Sequence, residues 1–481
     1  MLRRVSPFFV VVFIACVWLN QSFGLLTWEK VRYGVFTDPG AHVFDTVRYP
    51  FIFLYRRSPD EAMYYGLASQ ILGEPYDHDA FALLSRGRVT GASAYDLPPP
   101  PTDGHWHMPW AEVHLEYPAP VVPFMLLPKF FTSTFETYGR FFGVMMGLFM
   151  VASIGLAVDV LKRAGASRRE LDARWWLGAG LLLAQGALVI QRLDAIVALT
   201  MIAAVRGAVR RSTTSFGLWA GLAGACKIMP LFIVPVIVAG DWPFWRPRLA
   251  RLSGWIAFGL ALGFVPIVLA SPTALVDFFR YHGLRGLQVE STFGALVGAG
   301  RLLLGTTQTA TVSYGSFNVD GAVPDLLAKL GTPLTVAGVA LLTIVERRAS
   351  TGIAHSGVGD EAARIERIAC AAIAATIVVW VVGKVLSPQY LTWLIPVVLA
   401  IPGRRGVVAT WLAIAACTLT QVYYRGFYDL VFEQRFVGVA AVLLRQGVLV
   451  ALLVWVSPGL RPWSIPRPPW RGRSDADRLA A

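Results

Sequence analysis

Charge is what this chain has least of. Only 15% of its 481 residues are Asp, Glu, Lys or Arg, against 55% hydrophobic, and the mean hydropathy is +0.55. That shortage excludes an ordinary soluble protein of this length, whose surface needs more charge. Cysteine is scarce too: Cys16, Cys226, Cys370 and Cys417 each sit inside an apolar segment. They read as small core residues, neither a disulfide framework nor a metal site. No Walker, Rossmann, HExxH or paired CxxC pattern is present. The short alternating segments of a transmembrane barrel are missing as well, and so is a convincing internal repeat.

What the sequence does have is a succession of apolar runs, among them PFFVVVFIACVWL (7–19), WIAFGLALGFVPIVLA (255–270) and the region 439–456. A hydrocarbon layer of ~30 Å takes ~20 helical residues to cross, so the fold class is all-α, a polytopic integral membrane protein. The net charge of +13 would point to nucleic acid in a soluble protein, but its distribution has a topological meaning, and no nucleic-acid partner is expected. Arg3/Arg4, Lys162–Arg174, Arg206–Arg211, Arg246–Arg251, Arg347/Arg348, Arg364/Arg367, Arg404/Arg405 and the tail Arg461–Arg478 hold more than half of the 43 Lys and Arg. Short basic loops stay in the cytoplasm. Both termini then face inward, with about twelve crossings. MLRR and its apolar run show no small-residue cleavage site and read as an uncleaved first span. Residues 1–456 form one transmembrane domain, and 457–481 a basic, Pro/Arg-rich cytoplasmic tail near lipid headgroups.

The outward segments include one long loop, 27–117, with twelve acidic residues and Pro98–Pro101. A connection this long is usually functional. Within it, residues 59–72 predict a short amphipathic helix on the membrane surface, with Ser58 as cap, Pro59 in the first turn, and Leu67 and Ile71 four apart. Two stretches between basic loops are too short for two full crossings and predict hairpins. One is 175–209, with Gln191, Arg192 and Asp194 at its centre. The other is 215–240, with arms of ~18 Å at ~1.5 Å per residue and Lys227 at its tip. A charge at that depth is costly unless it borders a cavity.

Cations therefore recur at outer hairpin tips: Arg192, Lys227, His282 with Arg285, and Lys384 beside Gln389 and Tyr390. Such groups suit an anionic headgroup, phosphate above all. A carboxylate beside them could act as general base. Each residue also has a plainer reading. Arg192 and Asp194 could neutralise each other, Lys227 could snorkel to headgroups, His282 could be an interfacial residue, and Glu116 could cap the return into the membrane.

The strings PDEAMYYGLASQILGEPYD (59–77) and EYPAPVVPFMLLP (116–128) resemble the first outer loop of glycosyltransferase family 87, integral membrane enzymes of the GT-C superfamily. QRLDAIVAL (191–199), AGLAGACKIMPLFIVPVIVA (220–239), RYHGLRGLQVES (280–291) and LSPQYLTWLIPV (386–397) look like later family strings in the same order, so the resemblance covers about residues 58–400. Tyr117-Pro118 followed by Ala119-Pro120 is a mild departure, and 27–57 fits no pattern. The resemblance implies a GT-C-like fold and an inverting transfer of a sugar, commonly mannose, from a polyprenyl-phosphate donor to a hydroxyl of a glycan or glycolipid acceptor outside the cytoplasm. Asp60 matches the family's base, with Glu61, Asp38 and Asp45 as competitors for that role. Lys227, His282, Arg285 and Gln389 would hold phosphate and sugar, with Arg192, Asp194 and Lys384 in the same group. Glu116, Glu290 and Tyr390 are secondary candidates. No metal or other cofactor is assigned. The expected location is the plasma (inner) membrane, with membrane lipids around the chain and the active site on the extracytoplasmic side. A lipid-linked sugar flippase, or a polymerase or ligase of polyprenyl-linked glycans, would share the greasy groove and the cations.

Overall fold

The computed structural model describes residues 59–77, 80, 102–306, 310–314, 316–354 and 361–457. The apolar run 7–19, the segment 27–57 with Asp38 and Asp45, Pro98–Pro101 and the tail beyond 457 lie outside the described residues. The described chain is mostly helical, and six helices are long and apolar enough to span a membrane: Phe135–Arg163, Trp242–Ala270, Ala322–Ser350, Glu361–Val382, Gly403–Tyr424 and Phe436–Val456.

Local sequence explains the helix ends. Helix α1 is Pro59–Leu72 and the short apolar α2 is Ala119–Phe131. Span α3, Phe135–Arg163, starts on a Thr134 capping box and ends on Lys162 and Arg163, matching its dipole. Ser167 caps α4 (Arg168–Gln185) and Ser212 caps α6 (Thr213–Cys226). Between them lies α5, Asp194–Val209, followed after α6 by the short α7, Met229–Gly240. Next come α8 (Leu249–Ala270), α9 (Pro272–Leu284) and α10 (Thr292–Leu303). The remaining helices are α11 (Ala322–Ala354), α12 (Glu361–Val382), α13 (Pro388–Leu399), α14 (Gly403–Gly426), α15 (Tyr428–Phe432) and α16 (Phe436–Val456). Helices α6 and α8 touch backbone to backbone: a Cβ on Gly221 would stand 2.3 Å from the Ile256 oxygen, and one on Gly259 2.6 Å from the Leu218 oxygen. Small residues permit this approach, which drives helix association where lipid removes the hydrophobic incentive.

Polar contacts gather the basic loops at one end of the bundle. Asp159, near the end of α3, accepts from Arg206 (2.7 Å) and Arg210 (2.9 Å) at the end of α5. Arg211, before α6, pairs with Asp241, after α7, at 3.1 Å. Arg364, at the start of α12, donates to the Val209 carbonyl at 2.6 Å. Arg174, in α4, donates to the Ile401 and Gly403 carbonyls, both at 2.8 Å. Arg405, in α14, reaches the Val456 carbonyl at 3.0 Å and Glu366 at 2.8 Å. Helix starts and helix ends therefore alternate at this face, and 211–241 leaves it and returns, as the predicted hairpin requires.

Two expectations need correction. The all-α reading omits a small antiparallel sheet at the opposite end, ordered β1 (Leu287–Gln288), β3 (Ser316–Val319), β2 (Thr311–Ser313). Its strands are too short to show a period in sequence. Helix α1 exists with the predicted bounds, but it is buried and does not lie on the surface: Ala62, Ala68 and Ile71 are fully enclosed. Tyr64 and Tyr65 pack edge-on against Tyr117 and Tyr138. Leu67 and Ile71 mark no separate apolar face, because Ala62, Met63, Tyr64, Tyr65 and Ala68 cover the rest of the circumference, and a helix apolar all round belongs inside. At its end Gly73, with φ +64°, has no room for a Cβ, which would stand 2.5 Å from the His105 oxygen.

Candidate functional site

The end of the bundle away from the basic loops holds a chain of charged and aromatic groups drawn from widely separated segments. Asp60 sits in the first turn of α1, where the helix dipole favours a carboxylate. Its Oδ1 meets Nη1 of Arg192, in the turn before α5. Arg192 Nη2 donates to the Tyr424 hydroxyl at 2.9 Å. Glu61, the neighbour that competes for the role of base, is buried near Tyr138 on α3 instead.

Two residues beyond Arg192, Asp194 starts α5 and turns elsewhere. Its Oδ1 accepts from Lys227 Nζ at 2.7 Å and from Trp393 Nε1 at 2.8 Å. Mutual neutralisation of Arg192 and Asp194 is thereby corrected: each has its partner on another element. At the first helical position Asp194 looks along the dipole toward α6 and α13, while Arg192, still in the turn, faces α1. Lys227, at the break between α6 and α7, also lies 4.4 Å from the centre of the Tyr390 ring and 5.2 Å from that of Trp393. The two rings stack on each other at 4.8 Å. This cage stabilises an ammonium, and Lys227 keeps 31% side-chain exposure where Asp194 keeps 4%. Gln389, next to this cage, is half-buried.

Beside the cage, the end of α9 presents Tyr281, His282 and Arg285. Arg285 Nε donates to the Tyr314 carbonyl at 3.0 Å. His282 is held at about 4 by burial first, with Arg285, Lys227 and Lys384 adding repulsion. It is therefore neutral near pH 7, which corrects its reading as a cation and makes it a hydrogen-bonding group between cations. Glu116 lies against Tyr281 and Arg285; burial raises its pKa and those two neighbours oppose the rise. It belongs to this cluster and does more than cap a return into the membrane.

Lys384 has a different role from the one expected. Its ammonium donates to the Gly283 and Arg285 carbonyls, both at 2.7 Å. A lysine satisfying the last carbonyls of a helix is a C-terminal cap, so Lys384 fixes α9 and, with it, His282 and Arg285. Gln288 continues the seam. Its backbone N donates to the Lys384 carbonyl at 3.0 Å, and its Oε1 accepts from Leu386 N at 2.9 Å. Its Nε2 reaches Ser387 Oγ at 3.2 Å and Glu290 Oε2 at 2.9 Å.

Glu290 is fully buried, and its pKa is pushed up to about 7 by burial, against the pull of Arg445, Tyr423, Tyr428 and Arg192. Its backbone carbonyl accepts from Arg445 and, at 3.0 Å, from Gln446. It sits beneath the site and not on its open side.

Sequence reasoning missed Trp393, Tyr424, Gln288 and Arg445. Trp393 lies within LSPQYLTWLIPV, and Arg445 is a lone charge in the middle of an apolar run, which is itself a signal. Tyr424 and Gln288 carried none, since a tyrosine or glutamine in a membrane protein has no distinctive pattern. Among the described residues no group of three or more His, Cys, Asp and Glu is placed to hold a metal ion. The groups suited to an anion are Lys227, Arg285 and His282, while Asp60 is paired with Arg192. No family model and no curated protein matches the chain.

Proposed function

We propose that this protein transfers a sugar, mannose by preference, from a polyprenyl-phosphate donor to a glycan or glycolipid hydroxyl, with inversion. The observation that carries the reading is the convergence of the separately resembling strings. Asp60, Arg192, Asp194, Lys227, His282, Arg285, Gln389 and Tyr390 come from segments spread over more than 300 residues and meet at one end of the bundle.

A single displacement suits these groups. Asp60 removes the proton of the acceptor hydroxyl as that oxygen attacks the anomeric carbon. The bond from that carbon to the phosphate oxygen breaks on the opposite face, which inverts the configuration. The leaving polyprenyl monophosphate takes the bonding electrons, and Lys227 and Arg285 stabilise the added charge, with His282 donating a hydrogen bond. Arg192 holds one oxygen of Asp60 and so orients the base. Gln389 and Tyr390 border the sugar.

Topology supports the same reading. The reading counts the six long helices, the shorter α4 to α7 and α13, and the apolar run 7–19 as about twelve passes. The basic end faces the cytoplasm of a plasma (inner) membrane, and the site opens on the other side. Cysteines introduced at Ser93 and Ser474 should then react with an impermeant thiol reagent from opposite sides; labelling of both from one side overturns the topology. The activity is tested by incubating purified protein with a panel of polyprenyl-phosphate sugars and candidate acceptors and weighing the products. A product with the acceptor mass plus one hexose and inverted linkage is expected. Transport of lipid-linked sugar across proteoliposomes without any transfer would favour the flippase instead.

A further inference from the structure

Helix α9 divides lengthwise into three sectors. At about 100° per residue, Ala274, Leu275, Phe278, Tyr281 and His282 fall on one side, and this side packs on the protein: Phe278 meets Phe264 of α8 at 6.0 Å, and Phe279, at the border of the next sector, meets it at 5.7 Å. Next to it lies an apolar sector of Pro272, Val276, Phe279 and Gly283, with Val276 66% and Phe279 50% exposed. The third sector, Thr273, Asp277 and Arg280, is polar and exposed, with the exposed Leu284 as its one apolar member.

A helix with a protein face, a greasy exposed face and a polar exposed face fits one environment, the boundary between hydrocarbon and water. Its surroundings agree. On α8, Phe258, Leu262, Val265 and Leu269 are exposed at spacings of four, three and four, a continuous apolar stripe up a span that must meet lipid. Ser271, in extended conformation, then turns the chain, and Pro272 opens α9.

We propose that α9 is an interfacial helix, seated with Val276 and Phe279 among the acyl chains of one leaflet and Thr273 and Asp277 in water. The partner is the bilayer itself. This rests on the membrane-spanning character of α8 and not on sugar transfer. Because Lys384 ties the end of α9 to the bundle, the helix fixes His282 and Arg285 at headgroup depth, where the phosphate of a membrane lipid lies.

The test needs no activity. In full-length protein with the native cysteines replaced by alanine, nitroxides are attached singly to Thr273→Cys, Val276→Cys, Asp277→Cys and Phe279→Cys. Each variant is reconstituted in nanodiscs of phosphatidylcholine and phosphatidylglycerol, and collision rates with oxygen and a water-soluble nickel complex are measured. Labels at 276 and 279 should favour oxygen, and those at 273 and 277 nickel. Nickel preference at all four positions, or shielding of 276 and 279 from both quenchers, overturns the proposal; shielding would mean that protein covers the face. Failure of the transfer assay leaves this result standing, and oxygen preference does not by itself support transfer.

Discussion

At the basic end of the bundle Asp159 lies between Arg206 and Arg210 with 36% of its side chain exposed, whereas at the opposite end Asp194 binds Lys227 and Trp393 with 4% exposed. The bonds are of similar length, but their surroundings differ. Near water, a pair gains little because each charge was already well solvated. Away from water, each partner depends on the other, since a lone buried charge is expensive. Protein chains seldom accept that dependence without using it, and perturbed or enclosed charges cluster where ligands bind. The basic end holds many more Arg and Lys than acids, while the other end sets Arg192, Lys227, Arg285 and Lys384 beside a neutral His282 and the carboxylates Asp60, Asp194 and Glu116. Of these, Lys227 and Arg285, with His282 between cations, are the groups that suit a phosphate.

The comparison is tested most severely by removing one acid from each end. Asp194→Ala should lower stability by about 3 kcal/mol, the lower bound for breaking a buried pair because Lys227 is partly exposed, and Asp159→Ala by no more than about 1 kcal/mol. Thermal unfolding in detergent measures both; equal losses would erase the distinction between the two ends.

Next in size is Asp60. Asp60→Asn should cut turnover at least ~10²-fold and also destabilise, because Arg192 loses its carboxylate. Adding Arg192→Gln should recover thermal stability without recovering turnover, which separates the base from the ion pair. Glu61→Gln, on the α3 side, should retain most activity. Normal turnover by Asp60→Asn would place the base elsewhere in the loop.

Arg285→Gln should weaken donor-lipid binding by ~1.5–3 kcal/mol, the range for a charge-assisted hydrogen bond. Arg285→Lys should retain part of it. Unchanged donor affinity in titrations with the polyprenyl-phosphate sugar would reduce Arg285 to its contact with the Tyr314 carbonyl.

The smallest effect concerns pH. Glu290 has its pKa raised from 4.5 to about 7, so between those values the folded protein binds more protons than the unfolded chain. Stability therefore falls as pH rises through that window. Glu290→Gln should flatten the fall and melt higher than the parent at pH 8. A melting temperature that rises between pH 5 and 7 in the parent alone would contradict this sign.

The sequence foretold some features by mechanisms that act locally. The apolar runs meant helices, Lys227 in the middle of one meant an interrupted hairpin, and basic clusters between runs meant segments that share one side; the structure gathers the described ones at one end. Helix α1 was placed to the residue by Pro59, with Ser58 before it as the expected cap. Its burial was misread, because spacing reports which residues share a face and says nothing of how many faces are covered.

Pairing of charges lay beyond the sequence altogether. Arg192 and Asp194 are two residues apart and look like a pair, but a turn residue and a first-turn helical residue project in different directions, one to Asp60 and the other to Lys227. Lys384 looked like one more phosphate ligand until α9 brought its carbonyls within 2.7 Å. Helix α1 was expected at the surface and is enclosed, because only packing tells which faces are taken. By itself the sequence determined the helices, their breaks and the segregation of basic charge, since backbone preference and the cost of charge in hydrocarbon act residue by residue. Tertiary structure decided partners, protonation and burial, because these depend on neighbours brought from more than 200 residues away.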